Sequence, residues 1–394
     1  MKVQKGYKQT EIGIIPEEWE VKELGNLSNI IASGKSNTEH NEDGIYPIFG
    51  STGIIGYKNY FDYEGKKITI ARVGANAGRV NFIDGKYCIS DNTIFVEVNE
   101  SSEIEFIDKY LRSINLNKYI FGSGQPLITG TILKNIQIPF PSFPEQSSIA
   151  TVLSDIDEYI LSLERLITKK KAIKQGAMQN LLTGKIRLKG FEGEWVEKRI
   201  ENYGCFVSGN GFPLMHQGRQ SGKYPFYKVS DFSNAGNEFV FNKANNYISQ
   251  AMANKLNCNI IPQGAIIFAK IGAAIFLERK RQNYCDCCID NNMMAFVGYA
   301  NRCDSKYLMY LFHTFKFGDL VTATALPSLS GTQVGRISRL FPPTLAEQTA
   351  IATILSDMDT EIEALQAKLN KAKQVKQGAM QQLLTGKIRL VVSG

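Results

Sequence analysis

The chain has 394 residues, 43% of them apolar, enough for two or three packed domains. No stretch approaches the roughly 18 consecutive apolar residues of a membrane span, and the start MKVQKGYKQTEIG lacks the apolar core of a secretory signal, so the expected location is the cytoplasm. The net charge of +7 permits nucleic acid as a partner but is uneven: residues 1–143 carry 15 basic against 17 acidic side chains, and residues 189–343 carry 17 against 11.

In chain order, residues 1–143 read as a globular domain. It opens at Trp19 (WEVKEL), and its β-branched runs, such as ITIARVGANAG (68–78) and CISDNTIFV (88–96), are broken by Gly, Asn and Asp as strands and turns are. Tyr110-Leu111 fall in a helix. Residues 144–186 form a long helix that begins after Pro144 and stops near Gly184. From Glu145 to Leu182 it would span about 57 Å at 1.5 Å per residue. Residues 187–343 repeat the first domain loosely: Trp195 in WVEKRI, Tyr224-Pro225 for Tyr46-Pro47, IIFAKIGAA (266–274), CIDNNMMAFV (288–297), Tyr307-Leu308 and ALPSLSGT (325–332). Residues 344–390 repeat the helix closely. Residues 145–188 and 347–390 align without a gap at an offset of 202, with about 27 of 44 positions identical.

Both helices carry a heptad seam: Ile149, Leu153, Ile156, Ile160, Leu163 and Ile167 in the first, and Ile351, Leu355, Met358, Ile362, Leu365 and Leu369 in the second. Past the seam, both read KQGAMQ. A glycine inside a helix costs about 1 kcal/mol against alanine, so Gly176 and Gly378 suggest the close approach of another backbone. Gln175, Met178, Gln377 and Met380 are the candidates for a subunit contact, with packing inside the chain as the alternative.

Four of the seven cysteines cluster late, but Cys285-Asp286-Cys287-Cys288 lacks the CxxC spacing of a zinc site, and reduced, partly buried thiols are expected. Nor is there an NPPF- or DPPY-like word, a Walker A loop, or a nuclease carboxylate set around Glu278-Arg279-Lys280. No catalytic residue and no metal site is assigned.

DNA sequence is read by polar side chains that reach base edges, usually from loops with small neighbours, while phosphate contacts position the protein. In the first domain those criteria select Ser51, Thr52 and Lys58 (50–58), Arg72, Asn76 and Arg79 (71–79), and Ser123, Gln125 and Thr129 (123–131). In the second they select Lys228, Ser230, Lys270, Ser328, Ser330 and Thr332, together with Arg279, Lys280, Arg281 and Gln282, a dense basic run. For each residue the alternative is a solvated surface side chain.

The opening YKQTEIGIIPEEWEVKEL, the helix start IPFPSFPEQSSIA and the helix end QGAMQNLLTGKIRL resemble the specificity subunit of type I restriction–modification systems. The resemblance covers essentially the whole chain, although FPPTLAEQ lacks a proline where the first copy has Pro144. It implies an α/β (α+β) fold: two globular target-recognition domains separated by two long antiparallel coiled-coil helices, with a pseudo-two-fold internal repeat. It implies a non-catalytic subunit that reads a split site in double-stranded DNA, one domain per half-site. The implied partners are two modification subunits that bind S-adenosylmethionine, and restriction subunits that use ATP and Mg; no cofactor is expected on this chain. Two other readings stay open on composition: a coiled-coil scaffold for protein or sugar ligands, and a self-contained methyltransferase or nuclease.

Overall fold

The structure, a computed structural model, describes residues 5–36, 43–120, 126–321 and 326–390. Its contacts divide the chain into two compact units. One combines residues 1–166 with 365–394, and the other is residues 167–364. The division cuts both long helices, Phe143–Leu181 and Leu345–Leu383, near their middles. Each unit therefore holds one globular domain, the first half of the helix that follows it, and the second half of the other helix.

In the first unit, a four-stranded sheet runs in the order 28–33, 93–98, 67–71, 80–83, with all neighbours antiparallel. Strand Lys67–Ala71 is buried at every residue and lies inside the sheet, and its two polar side chains have partners there, Lys67 on Glu97 at 2.5 Å and Thr69 on Asn81 O at 3.3 Å. A second sheet has the order 53–58, 46–50, 86–89, 63–64, and strands 20–23 and 137–140 pair beside the start of the helix. The second unit repeats this plan. Its main sheet is 204–208, 293–298, 266–269, 280–283, 240–241; its smaller sheet is 247–248, 224–227, 288–289; strands 196–199 and 338–341 pair. The mixture is α+β.

In each unit the helix halves run antiparallel and are laced by ion pairs. Asp157 meets Lys376 at 2.5 Å and Glu164 meets Lys373 at 2.7 Å in the first; Lys170 meets Glu361 at 2.6 Å and Lys174 meets Asp359 at 2.5 Å in the second. The seam is buried at Ile149, Leu153, Ile160, Leu163, Ile167, Ile351, Leu355, Ile362 and Leu369, and half-buried at Ile156, Met358 and Leu365. Its outer ends do more than face a helix. Ile149, Leu153, Leu383 and Leu384 join the core of the first globular domain, as Ile351, Leu355, Leu181 and Leu182 join that of the second.

Two expectations about KQGAMQ need correction. A Cβ on Gly176 or Gly378 would meet nothing within 4 Å, so no backbone of the described residues crosses there. Met178 is buried in the second core and Met380 packs against the first, because both point inward on the turn that carries the core leucines. Gln175 and Gln377 are exposed.

The Glu-Gln pair that opens both repeats anchors each helix to its domain. Glu145 and Glu347 are buried carboxylates, each closed by a tryptophan and an arginine. Trp19 Nε1 donates to Glu145 at 3.1 Å, and Arg389 donates to the same carboxylate from Nε at 2.7 Å and Nη2 at 2.9 Å. Trp195 Nε1 donates to Glu347 at 3.1 Å, and Arg187 from Nε at 2.9 Å and Nη2 at 2.8 Å. These hydrogen bonds hold both guanidiniums above their ordinary pKa. Gln146 and Gln348 accept from the backbone N–H of Glu103 and Asp304, each at 2.9 Å, just ahead of the helix in each domain.

Candidate DNA interface

The two domains share one piece of architecture bond for bond. In the first, strand 67–71 ends at Ala71, and Arg72 N–H donates to Asn92 O at 2.9 Å while Arg72 O accepts from Ile128 N–H at 3.0 Å. In the second, strand 266–269 ends at Ala269, and Lys270 N–H donates to Asn292 O at 2.8 Å while Lys270 O accepts from Leu329 N–H at 2.8 Å. Gly74 N–H donates to Pro126 O at 3.0 Å and Gly272 N–H to Pro327 O at 2.8 Å. Beside these loops lie two strand ends with the same Ser-Gly pair. Ser33 pairs with Ile94 and Ser208 with Met294 at the same register. A Cβ on Gly34 would lie 2.2 Å from Ile89 O and one on Gly209 1.9 Å from Asp290 O, so only glycine lets the chain pass.

The loop that follows the strand carries a cation at each end. Arg72 is half-exposed, its Nη1 3.4 Å from both Ser33 Oγ and Asp91 O. Lys270 Nζ is 3.2 Å from Ser208 Oγ. At the far end, Arg79 is exposed and Arg279 donates to Ser233 Oγ at 2.8 Å. Both precede the next strand at the same register, since Val80 pairs with Ile70 and Lys280 with Phe268. Asn76 is half-buried within the first loop.

Of the other expected contacts, the structure turns some inward and leaves others at the surface. Lys280, in the middle of the basic run, is 1% exposed. Its strand alternates faces, so its Nζ turns inward to Glu278 at 2.6 Å and Phe315 O at 2.9 Å, and burial lowers its pKa. Arg281 is half-buried, with Nε on Asn237 O at 2.7 Å, and Gln282 Nε2 donates to Ser305 O at 2.8 Å. Lys58 is buried and donates to Tyr60 Oη at 2.8 Å. Thr129 and Ser330 cap short helices, accepting from Ile132 N–H at 3.3 Å and Gln333 N–H at 3.2 Å. Lys228 Nζ donates to Gln217 Oε1 at 2.8 Å. Thr52, Ser230, Ser328 and Thr332 are exposed and Ser51 is half-buried; Ser123 and Gln125 lie outside the described residues.

The sequence reading missed the loop 209–223, which carries Leu214 and Met215 at 84% and 83% exposure. The loop is held by Gly218 N–H on Asn246 Oδ1 at 2.8 Å, by Gln217 Nε2 on Phe212 O at 2.8 Å, and by Phe212 stacked 3.9 Å from Phe226. Its only available signal was two large apolar residues among glycines, with Arg219 and Lys223 nearby and no acidic residue.

Cys287, Cys288 and Cys303 are buried free thiols, and burial pushes Cys303 up to about 12. Among the described residues no three His, Cys, Asp or Glu are grouped to hold a metal, and no helix is long and apolar enough to cross a membrane.

The profile of the type I restriction modification DNA specificity domain matches residues 16–175 and again 192–374. The MjaVIII type I restriction enzyme specificity subunit of Methanocaldococcus jannaschii is 25% identical over 95% of this chain and 94% of its own length. The EcoprrI specificity subunit of Escherichia coli is 29% identical over 44% of this chain and 42% of its own. A crystal structure of the type I restriction–modification S subunit from M. genitalium superposes with a TM-score of 0.65 at 16% identity, covering 97% of this chain and 98% of that one. A structure from work on assembly of the type I restriction–modification system superposes at 0.56 and 14% identity, over 95% and 99%. The duplicated recognition platform, on helices that start and end with the same anchors, is thus matched twice by one family: the chain belongs to the type I restriction–modification DNA specificity subunits, non-catalytic proteins with two DNA-recognition domains.

Proposed function

We propose that the first domain reads one half of a split DNA site and the second reads the other, and that two modification subunits dock on this chain to methylate an adenine in each half-site. S-adenosylmethionine binds the modification subunits; ATP and Mg serve restriction subunits that join the same complex, and the assembly works in the cytoplasm. The observation that supports this reading best is the platform of Arg72 and Lys270, repeated hydrogen bond for hydrogen bond among loops that differ. A shared scaffold with unlike loops is what two readers of different sequences require.

The test is methylome sequencing of cells that express the chain with its modification subunits. A split motif with a methylated adenine in each half is expected. Exchanging residues 20–140 for the matching part of a relative should change one half of that motif only. A continuous motif, or a change in both halves, would refute the division of labour. Binding of S-adenosylmethionine by the isolated chain would refute the absence of a cofactor on it.

A further inference from the structure

We propose that the loops 72–79 and 270–279 are clamps for the DNA sugar–phosphate backbone, in which Arg72 and Arg79 in one domain and Lys270 and Arg279 in the other grip phosphates without reading bases. The inference rests on the DNA-recognition reading above.

The first argument is from the duplication. A feature built alike in two domains that read different half-sites cannot carry the difference between them. What every half-site has in common is its backbone. The cations at the two loop ends, the Ser-Gly strand end beside them and the backbone bonds that hold them are the parts of the interface that are alike.

The second argument is from the chemistry of the cations. One platform has Arg72 where the other has Lys270. A phosphate accepts either residue, arginine as a planar fork and lysine as a point charge. The charge at this position is kept while the residue changes, as a phosphate partner common to both domains allows.

The third argument is from neighbours. Among the described residues none of these four cations has a carboxylate within 4 Å, whereas Lys35, Lys67 and Lys280 are each paired. Arg72, Lys270 and Arg279 are steered only by neutral oxygens, which orient a cation and leave its charge uncompensated. Gly74 and Gly272 stand at φ +77° and +79°, and a Cβ on either would meet nothing within 4 Å, so the approach to the loop is open.

The experiment uses the full chain in complex with its modification subunits. The exchange Arg72→Lys with Lys270→Arg should leave the methylated motif unchanged. Arg72→Gln with Arg79→Gln, and separately Lys270→Gln with Arg279→Gln, should weaken binding to all sequences alike. Each pair should reduce the slope of log affinity against log salt by about 1.8, at about 0.9 per phosphate contact. Relaxed or altered bases in either variant would overturn the clamp and make these residues base readers. An unchanged slope would overturn it as well. If a glutamine pair abolishes the melting transition, the Arg/Lys exchange, which keeps the charge, decides instead: an unchanged motif upholds the clamp and an altered one overturns it. An unsubstituted complex that methylates no split motif would sink the specificity reading instead, which the salt slope on plain duplex keeps separate from the clamp.

Discussion

Consider Lys280 replaced by alanine. The side chain is 1% exposed, and its ammonium bonds to Glu278 at 2.6 Å and Phe315 O at 2.9 Å, 4.2 Å from the centre of the Phe317 ring. The change removes one partner of a buried pair, which costs about 3–5 kcal/mol. Glu278 retains 32% side-chain exposure and the Gly318 N–H at 2.8 Å, so the cost belongs near the lower limit, about 3 kcal/mol. At 2–4 °C per kcal/mol for a unit of this size, the melting temperature should fall by roughly 6–12 °C. The register puts Val80 at this place in the first domain. Lys280→Val with Glu278→Gln should therefore recover most of the loss, since the valine leaves no buried charge and the glutamine carbonyl can still accept from Gly318 N–H. Thermal melting measures the first effect, and DNA affinity over a salt series measures any contact. An alanine variant that melts at the parental temperature yet loses about 0.9 from the salt slope would show that the lysine reaches phosphate and that the inward geometry is wrong.

Three further outcomes are expected. Arg389→Ala should loosen the first unit and Arg187→Ala the second, each detected by the fluorescence of the one tryptophan bonded to the same carboxylate, Trp19 or Trp195; a spectral change at the other tryptophan would refute the pairing. Asp157 is pushed up by burial, but the hydrogen bonds from Lys109 and Lys376 outweigh this and hold it below its ordinary value of 3.8. The stability it adds is complete above that value and is lost as the pH falls through the lower folded value, so Asp157→Asn should flatten the acid limb of melting temperature against pH, and an unchanged limb counts against the lysine contacts. Leu214→Ser with Met215→Ser should leave melting within the small range of surface changes, about 0.5 kcal/mol, while altering recognition by the second domain; an intact motif and affinity would leave the exposed pair without a role in DNA reading.

The helices were legible because their seam repeats at a spacing that only a helix can bury on one side, and Ile149 to Ile167 are buried or half-buried as that spacing requires. The Glu-Gln anchors were visible as repeated letters but not as a structure, because Trp19 and Arg389 reach Glu145 from 126 and 244 residues away. The basic run at 279–282 misled for a local reason. Read along the chain it is a charged patch, but a strand sends alternate residues to opposite faces, and Lys280 goes inside. Lys58 misled in the same way, as the buried last residue of its strand. Gly176 and Gly378 promised a close crossing that the described residues do not make. The equivalence of Arg72 with Lys270 was readable from ITIARVG and IIFAKIG, whereas Ser33 and Ser208 needed strand register to be matched.

The composition of the first unit has a consequence for synthesis. Its core includes Leu383 and Leu384, and its buried carboxylate Glu145 waits for Arg389. The residues that complete the domain made first are therefore translated only after the whole of the second unit. From residue 166 to residue 365 about 200 residues must be added, and at roughly 5–20 residues per second the wait is about 10–40 s. Throughout that interval Ile149, Leu153 and the face around Trp19 lack their covering helix, while the second unit, contiguous from 167 to 364, can close as it emerges. A nascent chain stalled or cut short just past residue 364 would thus carry a finished second reader and an open first one, with its unfinished apolar face available to chaperones and proteases.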